Sequence, residues 1–211
     1  MTGTAFVLAN TRLATVPQAA PIRLYLSAGD ADGAYGLWAR TGRDPPPFWA
    51  FAWAGGLGLA RYLRAHPQAV AGRRVLDVAC GSGLVAIAAA RAGAAHVTAN
   101  DVDGYALAAT ALNATANGVT VDVVGGDLLA GDGGDAEVVL AGDVFYDRSF
   151  AELILPFLER AAARGALVLV GDPDRRYVPR DRLREVASYD VAVTRVIEDG
   201  DVKRTTIWRP R

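Results

Sequence analysis

The stretch "GDVFYD", Gly142 to Asp147, sets two carboxylates around two aromatic rings directly after the apolar run "AEVVLA". Such a run reads as a buried strand, which puts Asp143 and Tyr146 at the strand's mouth. A surface turn would need neither aromatic. Phe145 is expected to fill core, and Asp147 to cap a helix beginning near Ser149. A second chemical cluster lies upstream. "VLDVACGSGLVAIAAA" is strand, glycine turn and helix. Small residues at Ala79, Gly81 and Gly83 let a ligand approach the backbone closely, and the helix start offers free N–H groups. Asp101 follows Gly83 by 18 residues, at the end of the next strand, where a carboxylate can grip ribose hydroxyls. Turn and acid together point to a nucleotide.

"GSGLVA" also satisfies the dinucleotide pattern G-x-G-x-x-A. Against a pyrophosphate stands Asp77, just before the turn. Pointing inward it would repel phosphate, but it suits the cationic aminopropyl end of S-adenosyl-L-methionine (SAM). No Tyr-x-x-x-Lys spacing supplies the acid of one oxidoreductase subclass. Asp127, after the third strand, is either a contact to the adenine amino group or a plain loop aspartate. Cys80 reads as a small buried residue rather than a nucleophile, since no nearby sequence feature activates it.

These residues need elements to hold them. From Arg73 onward, apolar runs alternate with alanine-rich helical segments. "RRVLDVA", "HVTAND", "VTVDVV", "AEVVLAGD" and "ALVLVGD" read as strands. "LVAIAAARAGA", "DGYALAATALNATANG" and "SFAELILPFLERAAARG" read as helices, the second capped by Asp103 and stopped at Gly118, the third a candidate for a kink at Pro156. This alternation implies a parallel sheet covered on both faces. The end differs: "YDVAVTRVIEDGDVKRTTIWR" is two β-rich runs around an Asp-Gly turn, the pattern of an antiparallel hairpin. Residues 1–72 break the alternation and read as a cover over one end of a core spanning 73–211, all within a single 1–211 domain. In the cover, "APIRLYLS" is a short strand or edge, "RDPPPFWAFAW" starts extended, and "AGGLGLARYLRAHP" is a helix ended by His66-Pro67. Trp49 and Trp53 would share a face if their segment is helical.

Composition narrows the class. A length of 211 residues suits one full core, and 52% hydrophobic residues exclude a disordered chain. A net charge of −1 predicts no strong pull toward nucleic acid. One cysteine and two histidines disfavour a structural zinc site, so no metal is expected. The lone cysteine, and an N-terminus lacking a basic n-region, fit a reducing cytoplasm. No stretch is both long and charge-free enough for a membrane span.

"VLDVACGSG", "ANDVD" and the terminal hairpin resemble the seven-β-strand SAM-dependent methyltransferases, a Rossmann-like α/β fold. "PFWAFAWAGGLGLARYL", "GDVFYD" and "VGDPDRRY" resemble one branch, the protein-lysine methyltransferases that include the electron transfer flavoprotein β-subunit enzyme. The likeness runs from about Pro21 to Arg176. It implies a seven-stranded, mostly parallel sheet with helices on both faces, and an N-methyltransferase that turns SAM into S-adenosyl-L-homocysteine on lysines of a protein. It places Trp53 against the cofactor, leaves Trp49 open, and makes Asp143 and Tyr146 the Asp-x-x-Tyr pair at the lysine entry. Gly142 then allows close approach of the cofactor. Asp172 could face the substrate; Arg175 and Arg176 read as a solvated loop or as contacts to an acidic protein surface. Ala79 departs from the glycine usual in the branch. A small-molecule N-methyltransferase and a catalytically silent binding module are the rival readings.

Overall fold

From Arg74 to Asp172 strands and helices alternate, except that Asp122–Gly125 leads to Val138–Gly142 without a helix, and the central strands are apolar on both faces. The structure, a computed structural model, describes residues 2–28, 31–42, 46–193, 198 and 200–211. The strands of the main sheet are β3 (Arg74–Val78), β4 (His96–Asp101), β5 (Asp122–Gly125), β6 (Val138–Gly142), β7 (Leu167–Asp172), β8 (Leu183–Ala192) and β9 (Val202–Pro210). A separate hairpin pairs β1 (Arg12–Thr15) with β2 (Arg23–Leu26). Order across the main sheet is β5-β4-β3-β6-β7-β9-β8, parallel through β7 and antiparallel in the last two pairings. The chain runs outward from β3 to β5, then returns to the other side of β3 as β6. That reversal opens a crevice beyond the carboxyl ends of β3 and β6, where α/β sheets bind ligands.

The helices are α1 (Gly3–Asn10), α2 (Ala31–Thr41), α3 (Ala54–Ala65), α4 (Leu84–Arg91), α5 (Gly104–Ala116) and α6 (Arg148–Ala163). One core joins α3 and α4 to Val75, Val97, Leu140, Leu169 and Ile207. The opposite face packs Leu76, Val78, Val139, Val168 and Val170 against Ile154, Phe157 and Leu158 of α6. Neighbouring strand residues thus serve opposite faces, as the period of two demands. Phe145 is fully buried in the second core. Asp103 caps α5 through the Tyr105 N–H, Asp147 caps α6 through the Phe150 N–H, and α6 continues through Pro156. Gly118 adopts φ 65° just beyond α5.

Some expectations shift. β5 starts at Asp122 rather than Val119, and α1 lies in a stretch whose sequence gave no helical reading. The terminal hairpin forms, pairing Ala192 with Val202, while Asp199 of its "EDGD" turn and Arg43–Pro45 of the proline run fall outside the described residues. Trp49 and Trp53 do not share one helix. Phe48–Ala50 is a short 3-10 turn, the chain then extends, and Trp53 is the N-cap of α3.

Nor is α3 only a cover. It lies on the sheet, and its glycines let backbone meet backbone. A Cβ on Gly55 would collide with the Gly171 carbonyl, and one on Gly142 would stand 3.2 Å from Gly56 Cα. The glycine cost in helix propensity is offset by contact that no other residue permits. Gly55→Ala should therefore lower stability by about 3 kcal/mol in urea denaturation, whereas Gly104→Ala, with open space around its Cβ, should be neutral or stabilising by up to about 1 kcal/mol.

Candidate active site

The turn after β3 is built from left-handed backbone: φ is 54° at Ala79, 53° at Gly81 and 75° at Gly83. Glycine adopts this region freely and alanine does not, so the methyl of Ala79 carries backbone strain. The Cys80 N–H donates to the Asn100 carbonyl, and the Gly83 N–H to the Cys80 carbonyl. Two side chains of α5 hold the turn from behind. Thr110 donates to the Gly81 carbonyl at 3.2 Å and Asn113 to the Ser82 carbonyl at 2.8 Å. Both are fully buried, and sequence reasoning missed them. Their only signal was two polar residues on the inward stripe of an otherwise alanine-rich helix.

A cavity of about 400 Å³ opens on this turn. Its floor is Ala79, Cys80, Gly81, Asp77 and Asp101; its far end is Gly142, Asp143, Tyr146 and Arg175; Phe48, Trp49, Phe51 and Trp53 wall it. The structure thus brings together all but two of the residues singled out as cofactor-binding or catalytic. Gly83 carries no lining atom; its left-handed turn instead packs on Thr110. Asp127 is exposed and away from the lining, where its carboxylate closes a local turn by accepting the Leu129 N–H at 2.8 Å. Gly142 lines the cavity, and its bare Cα also lets the backbone of Gly56 come close.

Burial dominates the electrostatics. Asp77 Oδ2 accepts the Ala86 N–H at 2.9 Å, satisfying one free amide at the start of α4. Its carboxyl is nonetheless pushed up to about 8, by burial first, with the Ala86 bond opposing and Asp101 adding. Asp101 accepts the Gly81 N–H at 3.0 Å and the Asp103 N–H at 2.9 Å, and burial raises it against those bonds. Burial, with Asp77 and Asp101 nearby, also lifts the Cys80 thiol well above its ordinary range, which disfavours a thiolate. The donor set around the turn is carboxylate, without a cation, and Gly81 leaves its cavity side bare: a Cβ there would have only Trp49 Cα within 4 Å, at 3.9 Å. These residues fit a cationic nucleoside with ribose hydroxyls to donate, and oppose a pyrophosphate.

The far end is tied together by charge. Asp143 has φ 58°, and its N–H reaches the Gly171 carbonyl at 2.8 Å. Its Oδ2 accepts the Gly56 N–H at 2.9 Å, so the carboxylate caps α3 from across the cavity, not α6. Its Oδ1 accepts Arg175 Nη2 at 2.7 Å. Arg175 is not solvated, as its loop position suggested: the same Nη2 also reaches Glu198 Oε1 at 2.8 Å, and the guanidinium lies 5.5 Å over the Trp53 ring. Arg176 is exposed. Asp172 is fully buried, accepts the Arg175 N–H at 2.6 Å and does not line the cavity; burial pushes it up to about 7. Tyr146 is exposed at the mouth, its ring 5.3 Å from Phe48 and 5.7 Å from Phe150. Trp53 donates to the Phe48 carbonyl at 2.8 Å, which sets its ring in the wall.

A family model, that of ribosomal protein L11 methyltransferase (PrmA), matches residues 63–164. The chain is 34% identical over 212 residues to the electron transfer flavoprotein beta subunit lysine methyltransferase of Xenopus laevis, covering 96% of this chain and 85% of that one. It is 35% identical over 171 residues to the same enzyme of Danio rerio, covering 78% and 66%. Among solved structures, the fold is similar to the tRNA (uracil-54, C5)-methyltransferase of Pyrococcus abyssi in complex with S-adenosyl-L-homocysteine, with a TM-score of 0.52 at 15% identity, covering 71% of this chain and 38% of that one.

The strained turn gives a direct check. Ala79→Gly should stabilise the protein by about 1 kcal/mol in urea denaturation, because relief of the left-handed methyl exceeds the added freedom of glycine in the unfolded chain. An unchanged or lowered midpoint would show that Ala79 carries no such strain.

Proposed function

The chain belongs to the family of electron transfer flavoprotein β-subunit lysine methyltransferases, and on that premise we propose that it methylates lysine side chains of an electron transfer flavoprotein β subunit. The observation that supports this most is one cavity with an acidic, glycine-lined nucleoside floor and an Asp143–Tyr146 mouth.

The cofactor is SAM, which supplies when bound a methyl group on a cationic sulfur and leaves as S-adenosyl-L-homocysteine. Asp77, Asp101, Ala79, Cys80, Gly81 and Trp53 would hold it, Asp101 at the ribose and Asp77 toward the cationic end. Gly83 acts by shaping the turn, and Asp127 lies outside the lining. A lysine ammonium has no lone pair, so the target must enter as the neutral amine. Asp143 then orients that amine by accepting an N–H. Each of its oxygens already holds one donor, and each keeps a second lone pair. Tyr146 supplies an aromatic wall and a hydroxyl at the entry. Aligning amine and methyl inside a walled cavity removes much of the entropic part of the barrier.

A protein substrate is favoured over a small amine because rim side chains are open to solvent: Val102 is 76% exposed and Tyr146 45%. The reading needs no nucleic acid, membrane surface or metal. No helix among the described residues is long and apolar enough to cross a membrane. A cytoplasmic location is supported by the free, buried Cys80 thiol. Incubating the protein with labelled SAM and purified electron transfer flavoprotein, then mapping label by mass spectrometry, tests the proposal. Label on β-subunit lysines is expected; label only on free amines would favour the small-molecule rival.

Asp77 adds a prediction about pH. Buried without a cation, it is mostly protonated at pH 7, and a bound cation favours its ionised form. Cofactor binding should therefore release close to one proton at pH 7, and affinity should rise by up to about tenfold per pH unit below pH 8. Calorimetry in buffers of different ionisation enthalpy measures both. Asp77→Asn, which can still accept the Ala86 N–H, should abolish the dependence.

A further inference from the structure

Three carboxylates converge behind the cavity mouth from three elements: Asp143 after β6, Asp172 ending β7, and Glu198 between β8 and β9. Among the described residues, the one cation that meets them is Arg175. Its side chain is 19% exposed, against 10% for Asp143 and 4% for Glu198, so water screens the cluster little. A guanidinium stays charged at any pH of interest. Among the described residues its buried Nε meets no partner, while one terminal nitrogen carries both ion pairs. That geometry serves the carboxylates more than it serves the arginine.

The proposed function, on which this inference rests, makes Asp143 the acceptor for a neutral amine. A bare carboxylate there would do the opposite of what the chemistry needs. It would stabilise the ammonium, and Glu198 beside it would add to the effect. We infer that Arg175 is a positioning residue that offsets Asp143 and Glu198, so that Asp143 can orient the target lysine without holding it protonated. The guanidinium acts on the amine through the carboxylate it shares and through its own charge at the cavity wall.

Other titratable groups face the same space. Asp77 lines it from β3, Asp101 from β4, and Asp103 and Tyr146 from its rim. Asp172 sits under the Arg175 backbone. Burial raises Asp77 to about 8 and Asp172 to about 7, so both titrate within the range tested, and Arg175 itself helps hold Asp172 down; the contribution of Asp172 is separable by substitution.

The test is single-turnover methyl transfer to electron transfer flavoprotein at saturating SAM and protein substrate, from pH 6 to pH 10. The rate should rise with pH to a plateau, its midpoint reporting the bound amine. In Arg175→Met the midpoint should move up by on the order of one pH unit, since losing a nearby positive charge favours the ammonium. Arg175→Lys keeps the charge and should hold the wild-type midpoint whatever its rate. The upward shift should persist when Arg175→Met is made in an Asp172→Asn background. If Arg175→Met does not fold, Glu198→Gln serves instead: it removes a negative charge and should move the midpoint down. An active Arg175→Met enzyme with the wild-type midpoint, or an unmoved midpoint in Glu198→Gln, would overturn the inference and leave the function standing. A wild-type protein that labels no lysine would overturn both.

Discussion

Where α3 crosses the ends of β6 and β7, backbone touches backbone, and most of the site follows from that contact. Gly55 lies against Gly171 with no room for a side chain on either, and Gly142 lies close enough to Gly56 that a Cβ on it would be tight. The helix N-terminus is thereby brought to the carboxyl end of the sheet, close enough for the Gly56 N–H to be satisfied by Asp143 rather than by a residue of its own segment. The same approach fixes Trp53, the α3 N-cap, in the cavity wall and beneath Arg175. A wider crossing would separate the aromatic wall, the carboxylate and the guanidinium at once.

The two ends of the cavity solve opposite electrostatic problems. At the glycine turn, Asp77 is buried and Asp101 partly buried, both against backbone amides, and desolvation raises both. That leaves an unmet demand for positive charge, which a cationic cofactor supplies. At the mouth, Asp143 and Glu198 already have Arg175. The floor thus gains from an incoming charge and the mouth does not. An ordinary buried ion pair contributes little net stability, so its placement is better understood through what it does to a neighbour.

Much of the fold was legible because local signals agreed with it. The glycine turn, the acid ending β4, the Asp103 and Asp147 caps and the terminal hairpin all read correctly from neighbouring residues. What failed to read was set by partners distant in the chain. "DRR" after β7 looks like a solvated loop until Glu198 and Asp143 close on Arg175. Thr110 and Asn113 look like ordinary helix residues until the glycine turn rests on them. Asp127 was open from its position alone, an adenine contact or a loop aspartate, and the structure shows it closing a turn by accepting the Leu129 N–H. Gly142 was legible at the cavity, and its closeness to Gly56 was not.

The partners of α3 also bear on how the chain reaches its native state. Ala54 alone is bonded to Glu198 and to Thr205, which follow it by 144 and 151 residues, while Gly56 waits for Asp143. The glycine-rich face of α3 docks on α4, β6, β7 and β9, all of which follow it in the chain. Glycines weaken it as an isolated helix, and closing loops of that length is slow. The two ends of the cavity therefore differ in the reach of their contacts: the glycine turn between β3 and α4 is held by α5 side chains 29 and 31 residues on, whereas the mouth joins Gly56 to Asp143, 87 residues on.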